Sequence, residues 1–293
     1  MTHQRKPIYK KGLTLLFFLF SLSSFFNSTN AQALPSLNAK YISYSDSGQG
    51  EVLVLIHAFP ADKTLWLPQQ MGLRDHFRII SLDLWGFGHS EGTTGYRVTM
   101  ANYADQVAQL LDQLYIKKAI IAGESMGGYV ALTFLKKYPD RVKGLVLSNT
   151  QAIADNSELK KNQNKAAIDV LVDGSENLVN DFMDKALAAD SPEQNRLVLQ
   201  NMLMVQSPFA IASALRGMSF RKDLSQVLAH TTVPVLIITS DKDLFIPPQQ
   251  SANMHALAKN SRLVVINDAG HLSNLEQPEQ WNHAVIAMFK GQN

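Results

Sequence analysis

Three side chains in this sequence are of the types that together make a hydroxyl reactive. Ser125 stands in Gly123-Glu124-Ser125-Met126-Gly127, Asp243 in Ser240-Asp241-Lys242-Asp243, and His271 in Asp268-Ala269-Gly270-His271. A serine is a weak nucleophile by itself. It needs a base to take its proton and a third group to orient that base. Asp241 and Asp268 compete with Asp243 for the orienting part, because either sits at a comparable strand end. Such a set is suited to acyl transfer, in which the serine oxygen attacks a carbonyl carbon.

The residues around Ser125 say how it would be held. Ala119 to Ala122 is an apolar run of strand length, and the segment after Gly127 is patterned as a helix. A strand, a sharp turn and a helix in succession force the residue at the turn into a strained backbone. Glycines on either side, lacking Cβ atoms, relieve the crowding. The hydroxyl then stands clear of the sheet at a helix start, where free N–H groups can stabilise a developing oxyanion. The chain order Ser, Asp, His is the order expected of such a sheet. Of the eight histidines, His271 alone follows directly on a strand run in the right place; His76, His230, His255 and His283 carry no motif.

The elements that must position these groups recur along the chain. Val52–Ile56, Arg78–Leu82, Ala119–Ala122, Gly144–Leu147, Val235–Ile238 and Leu263–Ile266 are short runs rich in Val, Ile and Leu. Continuous apolarity suits strands buried on both faces of a parallel sheet. Tyr41–Tyr44 is expected as an edge strand closed by Asp46-Ser47-Gly48. Helical spacing appears in Ala101–Leu114, Gly128–Tyr138 and Trp281–Phe289, so the class is α/β with a mostly parallel central sheet flanked by helices. Between Gln151 and Thr232 no strand-like run occurs. Three or four helices are expected there, with starts at Ser175, Ser191-Pro192 and Ser207-Pro208, forming an all-helical cap inserted in the sheet.

The N-terminus reads differently from the rest. Arg5, Lys6, Lys10 and Lys11 precede an apolar stretch from Leu13 to Phe26 and a small-x-small Ala31-Gln32-Ala33. That is the layout of a secretory signal peptide cleaved after Ala33. The apolar stretch falls short of the roughly 20 residues that span a bilayer, so an uncleaved anchor is the weaker alternative. The expected division is 1–33 leader, 34–150 with 233–293 core, and 151–232 cap, with the product exported to a periplasm or the medium. The whole chain carries +2, but residues 1–33 hold four basic and no acidic residues. The remainder is therefore mildly acidic, and no basic run interleaved with aromatics suggests a nucleic-acid partner. The absence of cysteine excludes disulfides and thiolate chemistry.

Beyond these readings, the chain resembles the α/β-hydrolase superfamily, within it the serine esterase, lactonase and haloperoxidase-like branch with a helical cap. The likeness runs from about Tyr41 to Phe289. It is carried by the Ser125 turn, by His57-Ala58-Phe59-Pro60, and by Asp83-Leu84-Trp85-Gly86-Phe87-Gly88-His89-Ser90. Asp243 followed by Pro247, and Gly270-His271 followed by Glu276 and Pro278, complete it. The resemblance prefers Asp243 as the acid and implies that the backbone N–H groups of Phe59 and Met126 form an oxyanion hole. It also implies hydrolysis of a small-molecule carboxylic ester or lactone through an acyl-enzyme. Ala58 departs from the family's usual glycine, and His57 reads as a brace for its loop. A serine at the turn disfavours the dehalogenating and epoxide-opening relatives, which use aspartate there. Cleavage of carbon–carbon or peptide bonds is a variant of the same chemistry, and a ligand-binding protein with little catalysis is the alternative class.

No cofactor or metal is implied. Gly86-x-Gly88 fails as a dinucleotide fingerprint because the third glycine would fall at Glu91. The apolar cap residues Phe182, Met183, Met202, Met204, Phe209, Met218 and Phe220 are candidates for a pocket, though helices need such residues simply to pack. Trp66 and Trp85 either border the site or pack beneath it.

Overall fold

Alternate residues of each inner strand feed two separate apolar layers, and that division organises the molecule. Leu53 and Leu55 pack on one side with Trp66, Phe77, Trp281 and Val285, while Val54 and Ile56 pack on the other with Tyr103, Val107, Val130 and Phe134. This is the two-faced burial expected when successive side chains point to opposite sides of a covered sheet. The structure is a computed structural model that describes residues 1–2 and 40–291. The leader's basic and apolar segments and the cleavage point after Ala33 lie outside the described residues.

In chain order the core begins with β1 (Tyr44–Ser47), β2 (Val52–Ile56), α1 (Leu67–Leu73), β3 (Arg78–Leu82), α2 (Met100–Gln113), β4 (Ala119–Glu124), α3 (Met126–Lys137) and β5 (Val142–Ser148). Five helices follow: α4 (Ser157–Asp173), α5 (Glu176–Ala186), α6 (Glu193–Leu203), α7 (Pro208–Met218) and α8 (Ser225–His230). The core resumes with β6 (Val235–Ser240), α9 (Pro248–Leu257), β7 (Ser261–Ile266), α10 (Ser273–Glu276) and α11 (Pro278–Phe289). The seven strands lie in the order β1-β3-β2-β4-β5-β6-β7, all parallel except for the antiparallel β1–β3 pair. Residues 40–291 belong to one compact unit. Among the described residues no single helix is long and apolar enough to cross a membrane.

Three expectations need correction. The edge strand is not Tyr41–Tyr44; it starts at Tyr44 and includes Asp46 and Ser47. Its pairing is favoured by the Arg78–Asp46 ion pair across to β3 (2.7 Å), a contact that apolar patterning does not register. Of the three serine starts, only Ser207 caps its helix, accepting from the Phe209 N–H at 3.2 Å. Ser175 already has helical backbone angles, and α6 begins one residue later than Ser191-Pro192 implied, so neither hydroxyl reaches a free N–H. Finally, the 151–232 segment holds five helices, and the fifth, α8, packs on α3 and α9 of the core.

Candidate active site

The turn between β4 and α3 is fixed by steric exclusion. Ser125 has φ 53° and ψ −113°, the strained conformation its motif predicts. A Cβ on Gly123 would lie 2.1 Å from the Gly127 carbonyl, and one on Gly127 would lie 2.1 Å from the Ile56 carbonyl oxygen. No side chain fits at either position. The Ser125 N–H donates to the Ser148 carbonyl (2.9 Å), and the Thr150 hydroxyl donates to the Ser125 carbonyl (2.7 Å). The close approach of Gly127 to Ile56 also brings the start of α3 against the chain leaving β2.

Three side chains converge from three strand ends. His271 Nε2 lies 2.7 Å from Ser125 Oγ, and its Nδ1 lies 2.9 and 3.0 Å from the two Asp243 oxygens. A carboxylate can only accept, so Nδ1 carries the proton and Nε2 is free to receive one from the serine. His271 and Asp243 are buried, while Ser125 keeps partial access to solvent. The rival acids are elsewhere. Asp241, just after β6, accepts from the Ala269 N–H of the loop after β7 at 3.3 Å, and the exposed Asp268 pairs with Lys242 at 3.1 Å.

Asp243 is densely hydrogen-bonded. Oδ1 accepts from the Phe245 N–H (2.8 Å) and the Ile246 N–H (3.0 Å), and Oδ2 accepts from Asn149 Nδ2 (2.9 Å). Burial alone would push this carboxyl up. The charge of His271 and its hydrogen bond, with those of Asn149 and Ile246, outweigh burial and hold it below the usual aspartate value. Asn149 is itself locked. It has φ 44°, its Nδ2 also donates to Ser240 Oγ (2.6 Å), and its Oδ1 accepts from Ser273 Oγ (2.6 Å). The Ser273 bond fixes the amide's direction, so that its N–H groups face Asp243.

Asn149 was missed in the sequence. The available signal was the polar Ser148-Asn149-Thr150 directly after an apolar strand, at the sheet edge where α/β proteins carry their sites. Glu124 was also missed. Its carboxyl is fully buried, and neither oxygen has a hydrogen-bond partner among the described residues. Burial drives it well above the ordinary glutamate value. The nearby Ser148 hydroxyl relieves this in part, and the negative charge of Asp243 adds to the rise. Burial thus favours the protonated form of Glu124.

The loop after β2 is braced as expected. His57 is fully buried; its Nδ1 faces the Ala58 carbonyl oxygen (2.9 Å), and its Nε2 accepts from the Leu84 N–H (3.0 Å). Burial lowers its pKa against the opposing pull of the Ala58 carbonyl and Asp83, so it stays neutral as an acceptor must. Ala58 has no positive φ, so its Cβ is tolerated there. The N–H groups of Phe59 and Met126 have no hydrogen-bond partner among the described residues. Met126 is the first residue of α3, where a free N–H is inherent to helix geometry. Asp83 is buried beneath the neighbouring loop, paired with Lys63 at 2.7 Å.

Aromatic rings cover the histidine. Phe245 lies 4.9 Å from the His271 ring, Phe182 of α5 stacks on Phe245 at 5.0 Å, and Phe59 meets Phe182 edge-on at 6.3 Å. Among the candidate pocket residues, Phe182 makes these contacts, whereas Phe209 and Phe220 are more than half exposed. Trp66 packs on Trp281 in the layer beneath the sheet, and Trp85 is half-buried with Lys40 over its ring. The cap is also tied to the histidine loop. Glu276 accepts from the Gly270 N–H (2.6 Å) and the Ala188 N–H (2.9 Å), and the Leu272 N–H donates to the Ala186 carbonyl.

Comparison with known proteins bears on this arrangement. A family model described as alpha/beta hydrolase fold matches residues 51–278. An esterase structure from Thermogutta terrifontis is 32% identical, covers 86% of this chain and 97% of its own, and superposes with a TM-score of 0.83. An enol-lactonase structure from Burkholderia xenovorans is 26% identical, covers 86% of this chain and 98% of its own, with a TM-score of 0.79. The dihydrolipoyllysine-residue acetyltransferase component of an acetoin cleaving system from Pseudomonas putida is 30% identical over 82% of this chain. The match spans 64% of that relative's length.

Proposed function

Since the chain belongs to the α/β hydrolase fold family and is a hydrolase, we propose that it cleaves carboxylic esters or lactones through an acyl-enzyme on Ser125. The observation that carries this reading is the contact of His271 Nε2 with Ser125 Oγ at 2.7 Å, with Asp243 behind the same ring. His271 takes the Ser125 proton as the oxygen attacks the carbonyl carbon. Asp243 holds the tautomer and stabilises the imidazolium. The Phe59 and Met126 N–H groups receive the developing oxyanion, and backbone donors so placed need no reorganisation during the reaction.

His271 then passes its proton to the departing alkoxide, which leaves as an alcohol or, in a lactone, stays tethered to the acyl group. A water, deprotonated by His271, attacks the acyl-enzyme and frees the acid. The apolar part of the substrate faces Phe59, Phe182 and Phe245. Helices α4 to α7 act as the cap, within the inserted segment 151–232, over a core of 34–150 and 233–293. The leader, residues 1–33, directs export to a periplasm or the medium, and N-terminal sequencing of exported protein should begin at Leu34.

The principal test is Ser125→Ala. Ester turnover should fall by roughly six orders of magnitude, as for other serine nucleophiles of this kind. A fluorophosphonate should label Ser125 in the unmodified protein and nothing in the variant. Retained esterase activity in Ser125→Ala would sink the reading, and an unlabelled Ser125 would favour a binding protein instead.

A further inference from the structure

Away from Ser125, an apolar cavity of about 290 Å³ opens beside α3. That volume is just below the roughly 300–1,000 Å³ typical of small-molecule sites. None of Ser125, Asp243, His271, Phe59 and Met126 lines it. Its walls come from Met100 of α2, Leu132 of α3, Ala152, and Leu224. Ala152 and Leu224 belong to the two chains that enter and leave the inserted helices, and they meet there: the Leu224 N–H donates to the Ala152 carbonyl at 2.9 Å. Close by, the buried Arg221 of the leaving chain pairs with Asp155 of the entering chain and lies 4.0 Å over the Tyr129 ring of α3. The cavity therefore sits at the hinge of the cap, against the helix that carries the nucleophile.

Its cations decide what fits. Four border it, and two of them are neutralised: Arg221 by Asp155, and Lys137 by Asp105. Lys136 and Lys222 have no ion-pair partner among the described residues. Both are exposed, which sets unbalanced positive charge at the mouth of an apolar interior. A ligand complementary to such a site has an alkyl chain for the interior and one anionic head for the mouth. We propose that this cavity is a second binding site, distinct from the hydrolytic one, for a medium-chain fatty carboxylate. Bound there, the chain bridges α3 and the two connecting segments at Ala152 and Leu224 and holds the cap in the position described. Such an anion is available from ester cleavage or from the surroundings, and the site does not depend on its origin.

Calorimetric titration of decanoate into the full protein tests this. One saturable site is expected with a Kd below about 1 mM. Decanol, with no charge, should bind at least tenfold more weakly. The surface variant K136E/K222E should lose at least tenfold in decanoate affinity with an unchanged circular-dichroism spectrum. Ala152→Leu, which fills the cavity from the segment entering the inserted helices, should lose it as well. Hydrogen exchange should slow at residues 150–155 and 217–224 when decanoate is present. The proposal is overturned by absent saturable binding, by equal affinity in K136E/K222E, or by protection confined to the segments around Ser125 and His271. The titration records binding without catalysis, and it should read the same in Ser125→Ala. Failure of the hydrolytic reading is thereby separable from failure of this one.

Discussion

Two buried carboxyl groups, one on the acid loop after β6 and one at the end of β4, meet opposite fates. Asp243 receives two backbone N–H groups, the Asn149 amide and the His271 ring, and stays ionised. Glu124, next to Ser125, has no partner among the described residues, and burial favours its protonated form. Burial is common to both, so burial does not decide the charge. The number of donors aimed at the carboxyl does, and that number is set by loop geometry rather than by residue type. One consequence is that negative charge is favoured at Asp243, which faces His271, over Glu124.

The contrast can be broken most severely at Asp243. Asp243→Asn should lower kcat roughly ten-thousand-fold, since an amide in that place favours the wrong histidine tautomer. The same change at Asp241 should leave steady-state kinetics nearly intact, and equal losses from both would misassign the acid. Removing a donor is a milder test. Asn149→Ala should reduce kcat by about 10- to 100-fold with little change in KM, because the acid shifts while the substrate surface does not. Unchanged kcat would mean that the backbone donors suffice.

The smallest effect concerns stability. Glu124 keeps its proton in the folded protein at pH values where the unfolded chain has lost it. The folded state then binds more protons, and stability declines as pH rises above the ordinary glutamate value. Asp243 works in the other direction: its depressed value adds stability above the ordinary aspartate range, lost as pH falls through the folded value. Glu124→Gln should therefore melt close to the parent at acid pH and increasingly above it toward neutral and alkaline pH. Each kcal/mol recovered would read as roughly 2–4 °C in Tm. A constant difference across pH would show that Glu124 is ionised when folded.

Much of this arrangement was legible from local pattern. Val52–Ile56 and Arg78–Leu82 are strands at the predicted bounds, since an inner strand needs only a short apolar run. The conformation of Ser125 followed from Gly123 and Gly127, because exclusion of a Cβ is a local matter. What escaped was decided at a distance. Asp46 belongs to β1 through Arg78, more than thirty positions on. Asn149 owes its role to Ser240, at the end of β6, and Ser273, at the start of α10. Nor could the burial of Glu124 be read from its neighbours in sequence, because the packing that encloses it is tertiary. The stack of Phe182 on Phe245 likewise joins a cap helix to a core loop.

Glu276 has a consequence for exchanging parts between relatives. One carboxyl group holds both the Ala188 N–H, on the chain leaving α5, and the Gly270 N–H, next to His271. A Cβ on Gly270 would approach the Ala188 nitrogen to 2.6 Å, so the two loops are moulded to each other. The inserted helices are thus not an interchangeable module. A chimaera that imports them from another member must also import a backbone N–H at this junction, or it will assemble with its histidine loop unmoored.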